Sequence, residues 1–108
     1  MDDRPRPILS ALAGDPALTG DIEAFVVALA ERVDELQDCE AQGALARLAE
    51  LAGELALDAA KAGYDPLSGC AGAVVRACAE RNAEDARKAL LELTEVSTRV
   101  RLGHRGAV

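Results

Sequence analysis

Residues 44–66 read ALARLAELAGELALDAAKAGYDP, and the fold class turns on how that stretch is divided. Leu45, Leu48, Ala52, Leu55, Ala59 and Ala62 follow one another at steps of three and four, the spacing of a helical seam in a bundle. At 100° per residue, Arg47, Glu50, Glu54, Asp58 and Lys61 share an arc about 80° wide opposite that seam, the expected solvated face. Gly63 is a good stop residue, and Asp65-Pro66 is a start signal, a carboxylate cap followed by a proline in the first turn. The stretch therefore predicts a helix over 44–62, a tight turn, and a new helix from 66.

Working toward the N-terminus, Ile22, Phe25, Val26, Leu29, Val33 and Leu36 form one apolar stripe on a helix over 18–38, opened at Asp15-Pro16 or Thr19-Gly20. Gly43 falls in the turn that follows. Ile8, Leu9 and Leu12 suggest a short extra N-terminal helix of one or two turns, ended by Gly14 and packed on one end of the domain. Toward the C-terminus, Leu67, Cys70, Val74 and Cys78 face inward on a helix over 66–81. Asn82 caps a last helix over 83–102, with Glu84 and Asp85 complementing its dipole and Ala86, Leu90, Leu93, Val96 or Ser97, and Val100 inward. Tyr64 is expected to fold its ring against the bundle end. Four amphipathic helices joined by short turns imply an all-α, antiparallel up-down-up-down four-helix bundle. It is a single domain over 8–102, with a flexible N-terminus over 1–7 and a flexible tail over 103–108.

Composition agrees. The 108 residues include 23 Ala and 15 Leu but only 8 Val, 2 Ile, one Phe, one Tyr and no Trp, which disfavours sheet structure. Twelve basic residues against nineteen acidic ones leave a net charge of −7. Such a surface repels phosphate backbones and anionic lipid, so neither nucleic acid nor membrane is an expected partner. No stretch has the length and apolarity of a membrane span, and the N-terminus lacks a signal-peptide pattern, so the expected location is cytoplasmic. Cys39, Cys70 and Cys78 read as small thiols in a reducing compartment, since the last two lie roughly 12 Å apart on one helix, outside disulfide reach.

One flank of the 44–62 helix carries Ala46, Ala49, Gly53, Leu57 and Ala60 between the seam and the charged arc. Two accounts fit it: close packing against a neighbouring helix, through Gly69 and Gly72, or a smooth docking surface for a partner.

The chain also resembles the bacterial histidine phosphotransfer (Hpt) family. The likeness spans roughly residues 15–102. It rests on FVVALAERVDELQ (25–37), ALARLAELAG (44–53), GYDPLS (63–68) and an Ala-rich last pair of helices. The family carries a phosphorylatable histidine on its second bundle helix in the pattern His-x-Leu-x-Gly. Ala49-Glu50-Leu51-Ala52-Gly53 is similar at Leu51 and Gly53 and has alanine where the histidine belongs. The resemblance thus implies a degenerate module that docks a receiver domain or histidine kinase without carrying phosphate. Its partner-binding face would comprise Ala46, Ala49, Glu50, Gly53, Glu54 and Leu57.

The single histidine, His104, reads as a solvated tail residue beyond the last helix. Glu50, Glu54 and Asp58 lie on a convex face flanked by Arg47 and Lys61, without the pocket that acid–base work requires. Ser68 and Cys70 have no histidine base near them in sequence. No catalytic residue, metal site or cofactor is expected. The alternative to the docking module is a structural bundle that self-associates, as a homodimer, through its Ala/Gly surfaces.

Overall fold

The computed structural model describes residues 6–104. It contains four α-helices, α1 (Thr19–Ala41), α2 (Leu45–Lys61), α3 (Asp65–Ala79) and α4 (Ala83–His104), with a 3-10 turn at Pro16–Leu18 before α1. No strand occurs among the described residues. The expected flexible ends, 1–7 and 103–108, fall largely outside them.

The helices share one core. α3 lies between α2 and α4 and packs closely on both, while α1 makes fewer close approaches to α2 and α4. The thinnest dimension, 19 Å, corresponds to two helix layers. α1 buries all six residues of its predicted stripe, from Ile22 to Leu36. α2 buries Leu48, Ala52, Leu55 and Ala59, and α4 buries both Val96 and Ser97 alongside Ala86, Leu90, Leu93 and Val100. On α3 the seam differs from expectation. Leu67, Ala71, Val74, Ala77 and Cys78 are buried, whereas Cys70 is half-buried, because in a helix this rich in alanine a neighbouring row serves equally well as the seam.

All three interhelical connections have three residues and one geometry. Gly43, Gly63 and Arg81 each adopt a positive φ (70°, 83° and 55°). The amide of the next residue then donates to a carbonyl five positions back: Ala44 to Cys39, Tyr64 to Ala59 and Asn82 to Ala77. This left-handed cap satisfies carbonyls that the helix end would leave unpaired. Asn82 behaves as predicted: its Oδ1 accepts from the Asp85 amide at 3.0 Å, and its side-chain amide donates to the Asp85 carboxylate at 2.8 Å. Asp65 does not cap α3. The helix starts at Asp65 itself, after Tyr64, so its carboxylate only adds charge to the first turn. Asp15 caps the 3-10 turn through the Ala17 amide (2.9 Å), and α1 opens at Thr19.

The N-terminal segment departs most from expectation. Residues 6–10 are not helical and Ala11–Gly14 form a turn, so no helix covers Ile8 to Gly14. The segment is a strap across the end of the bundle where α2 finishes and α3 begins. Ile8 donates its amide to the Arg99 carbonyl, Ala11 to that of Gly63, and the buried Ser10 hydroxyl to that of Ala62. Two glycines admit it. A Cβ on Gly63 would strike the Ser10 hydroxyl, and one on Gly103 would overlap the Ile8 carbonyl. α4 consequently continues through the buried Gly103 to His104, past the stop expected at 102.

Candidate functional site

The exposed side of α2 is built by its own amphipathicity. With Leu48, Ala52, Leu55 and Ala59 held in the core, the opposite side meets solvent. Ala46, Glu50, Glu54 and Leu57 are exposed there, and Ala49 and Gly53 are half-buried where the helix turns toward α3. All six expected partner-binding residues therefore lie on one continuous surface. Leu57 is 65% exposed, an apolar side chain without cover.

The glycines of α2 and α3 are not a packing device. A Cβ on Gly53 would meet only Val75 Cγ2, at 3.9 Å, an ordinary contact; one on Gly69 would meet nothing within 4 Å. One on Gly72 would meet only Arg76 of its own helix, at 3.5 Å. Both helices bury alanines in the core, Ala52 and Ala59 on α2 and Ala71 and Ala77 on α3, and the two pack closely. The Ser68 hydroxyl adds a 2.8 Å hydrogen bond to the Ala56 carbonyl. That bond also occupies the one serine considered as a nucleophile.

The charged arc is not uniformly solvated. Arg47 pairs with Glu50 within α2 at 2.9 Å, but Asp58 reaches sideways to Arg32 of α1, also at 2.9 Å. Asp58 and Arg32 thus bridge two helices across a cleft that sequence reasoning missed. On one side of the bridge the cleft has a volume of about 470 Å³, floored by Ile22 and Phe25, walled by Ala28, with Asp21 and Lys61 on its rims. On the other it has about 280 Å³ between Leu36, Leu51 and Leu55, with Glu35 and Glu54 on its rims. Arg32, as the single basic residue of α1, was the available signal.

Tyr64 is 2% exposed and stacks on Phe25, with ring centroids 5.8 Å apart and planes 23° from parallel, so its ring does pack on the bundle end. Burial pushes its hydroxyl pKa up. His104 is exposed at the last position of α4 and lines a small hollow of about 180 Å³ with Leu9, Ser10 and Tyr64. It belongs to a helix end rather than a tail, the extension that Gly103 makes possible. Burial raises the thiol pKa of Cys78. The same holds for Cys70, with smaller contributions from Glu92 and Glu95. Among the described residues, no group of three or more His, Cys, Asp or Glu side chains could hold a metal ion, and no helix is long and apolar enough to cross a membrane. No family model, curated protein or solved structure matches the chain.

Proposed function

We propose that this protein is a non-catalytic, Hpt-like interaction module, an antiparallel up-down-up-down bundle that docks a two-component partner in the cytoplasm without carrying phosphate. The observation that supports this reading is the exposure of the α2 surface. Ala46, Ala49 and Gly53 leave an approaching surface unobstructed, Leu57 supplies uncovered apolar area, and Glu50 and Glu54 supply charge at the margin. Nothing beside Gly53 requires glycine for packing, so the gap it leaves is free for a partner. A phosphorelay carrier needs an exposed imidazole on this helix, and α2 has none between Leu45 and Lys61.

The test is capture from the source cell with the wild-type chain and with Gly53→Gln, followed by mass spectrometry. Recovery of a receiver domain or histidine kinase by the wild type and not by the variant is the expected result. Recovery of neither, or of the chain alone as a dimer, overturns the reading in favour of a self-associating structural bundle. Incubation with acetyl phosphate or a phosphorylated receiver is expected to leave the protein unmodified. Acid-labile, alkali-stable phosphate lost in His104→Ala would overturn the non-carrier part.

A further inference from the structure

The cleft between α1 and α2 adjoins the docking surface of α2, sharing Glu54 with it, and a different set of observations bears on it. Its floor is apolar: Ile22, Phe25, Leu36, Leu51 and Leu55 supply most of it, with the exposed Ala28 on the α1 wall. Its two parts follow α1 from Leu18 to Leu36, roughly 27 Å at helical rise, with the Arg32–Asp58 pair spanning it partway. Side chains of 26% and 47% exposure hold that pair, so it is open to solvent and can rearrange.

Charge identifies the occupant. α1 carries seven carboxylates against one guanidinium, while α3 and α4 together carry five acids and five bases. At the cleft itself Asp21, Glu35, Glu54 and Asp58 stand against Arg32 and Lys61, and with Asp58 paired to Arg32 three carboxylates face one lysine, so its rims carry net negative charge. A second copy of the same chain would bring a second acidic α1 against the first and be repelled. A helix with an apolar ridge and lysine or arginine on its flanks meets both demands at once, filling the floor and neutralising the rims.

We infer that the α1–α2 cleft is a docking groove for a cationic amphipathic helix of a partner protein, about five turns long. The ridge seats along Phe25, Ala28 and Leu51, and the basic flanks face Asp21, Glu35 and Glu54. This inference does not depend on the Hpt-like reading, because it does not use Gly53 and shares only Glu54 with the surface around it.

The test uses three synthetic peptides of about 18 residues, long enough to span the cleft: a Leu/Lys amphipathic helix, a Leu/Glu helix of identical pattern, and a Leu/Lys peptide of scrambled order. Calorimetric titration into the full-length protein is expected to show micromolar binding of the first alone. Raising salt from about 0.05 to 0.5 M should weaken that binding at least about tenfold. Ala28→Arg and Ala24→Arg replace exposed residues on the α1 wall, so folding should survive in both. Each should weaken binding at least about tenfold, whereas Ala46→Arg, on the other side of α2, should not. Equal binding of the scrambled peptide, equal binding to Ala28→Arg, or no binding at low salt would overturn the inference. So would a homodimer in the free protein that Ala28→Arg dissociates, since the occupant would then be a second copy.

Discussion

The two layers of this bundle are held together by different means. α3 is set against α2 with small side chains buried on both sides, and the backbones come close. α1 buries Ile22, Phe25, Val26, Leu29, Val33 and Leu36, with no buried alanine or glycine, and the bulk of those side chains holds it farther from its neighbours. Interaxial distance follows the size of the residues at the contact. The consequence is that space collects along α1, in the cleft it shares with α2. A helix packed by large residues can be as thoroughly buried along its stripe as one packed by alanines, and still leave grooves beside it.

Leu29→Ala tests the α1 side of that comparison most severely. Leu29 is fully buried, and truncation should cost about 2–5 kcal/mol by denaturant unfolding, from lost burial and the cavity left behind. A loss below 1 kcal/mol would mean that α1 collapses onto its neighbours, and that its spacing is not set by bulk. The α3 side is tested in the opposite sense by Ala71→Leu, which adds volume where the backbones are close and should cost about 1–3 kcal/mol. Ala28→Leu, on the exposed wall of the cleft, should change stability by less than about 0.5 kcal/mol. Similar losses for the two substitutions would erase the distinction between the layers.

A gain is expected at the turn between α3 and α4. Arg81 holds the left-handed conformation that Gly43 and Gly63 hold in the sister turns, so Arg81→Gly should stabilise the protein by about 0.5–1 kcal/mol in thermal or denaturant unfolding. The smallest effect belongs to the bridge over the cleft. Both partners are substantially exposed, so Asp58→Asn should cost no more than about 0.5 kcal/mol, and that loss should vanish at high salt.

The difference between the two layers also marks what could be read in the sequence. The stripe of α1 was fully legible because six large apolar residues recur on one face at helical spacing, with Val27 the one large apolar residue of the helix off it. α3 was less so: with alanine, glycine and cysteine on several faces, Cys70 and Ala71 were near-equivalent candidates for the interior, and backbone proximity decided for Ala71. Asn82 was legible as a cap because its signal is local, whereas Arg81 was not, because arginine carries no mark of a left-handed turn. The strap was illegible for a related reason. Its hydrogen bonds run to Ala62, Gly63 and Arg99, partners far along the chain, and Gly103 looks like a helix stop when its use is to let Ile8 come close. The six residues expected on the α2 surface share a face because helical periodicity put them there. The cleft beside α1 was hidden because it depends on the distance between two helices, which no single helix encodes.

The stack of Tyr64 on Phe25 joins the layers, since Phe25 belongs to α1 and Tyr64 immediately precedes α3. These are the chain's only tyrosine and its only phenylalanine, and it has no tryptophan. Tyr64 is therefore the sole strong ultraviolet emitter, and it sits at a place where the loosely and tightly packed helices meet. Its emission reports when α1 lifts away from the rest, so the opening of the bundle can be followed by light without any label.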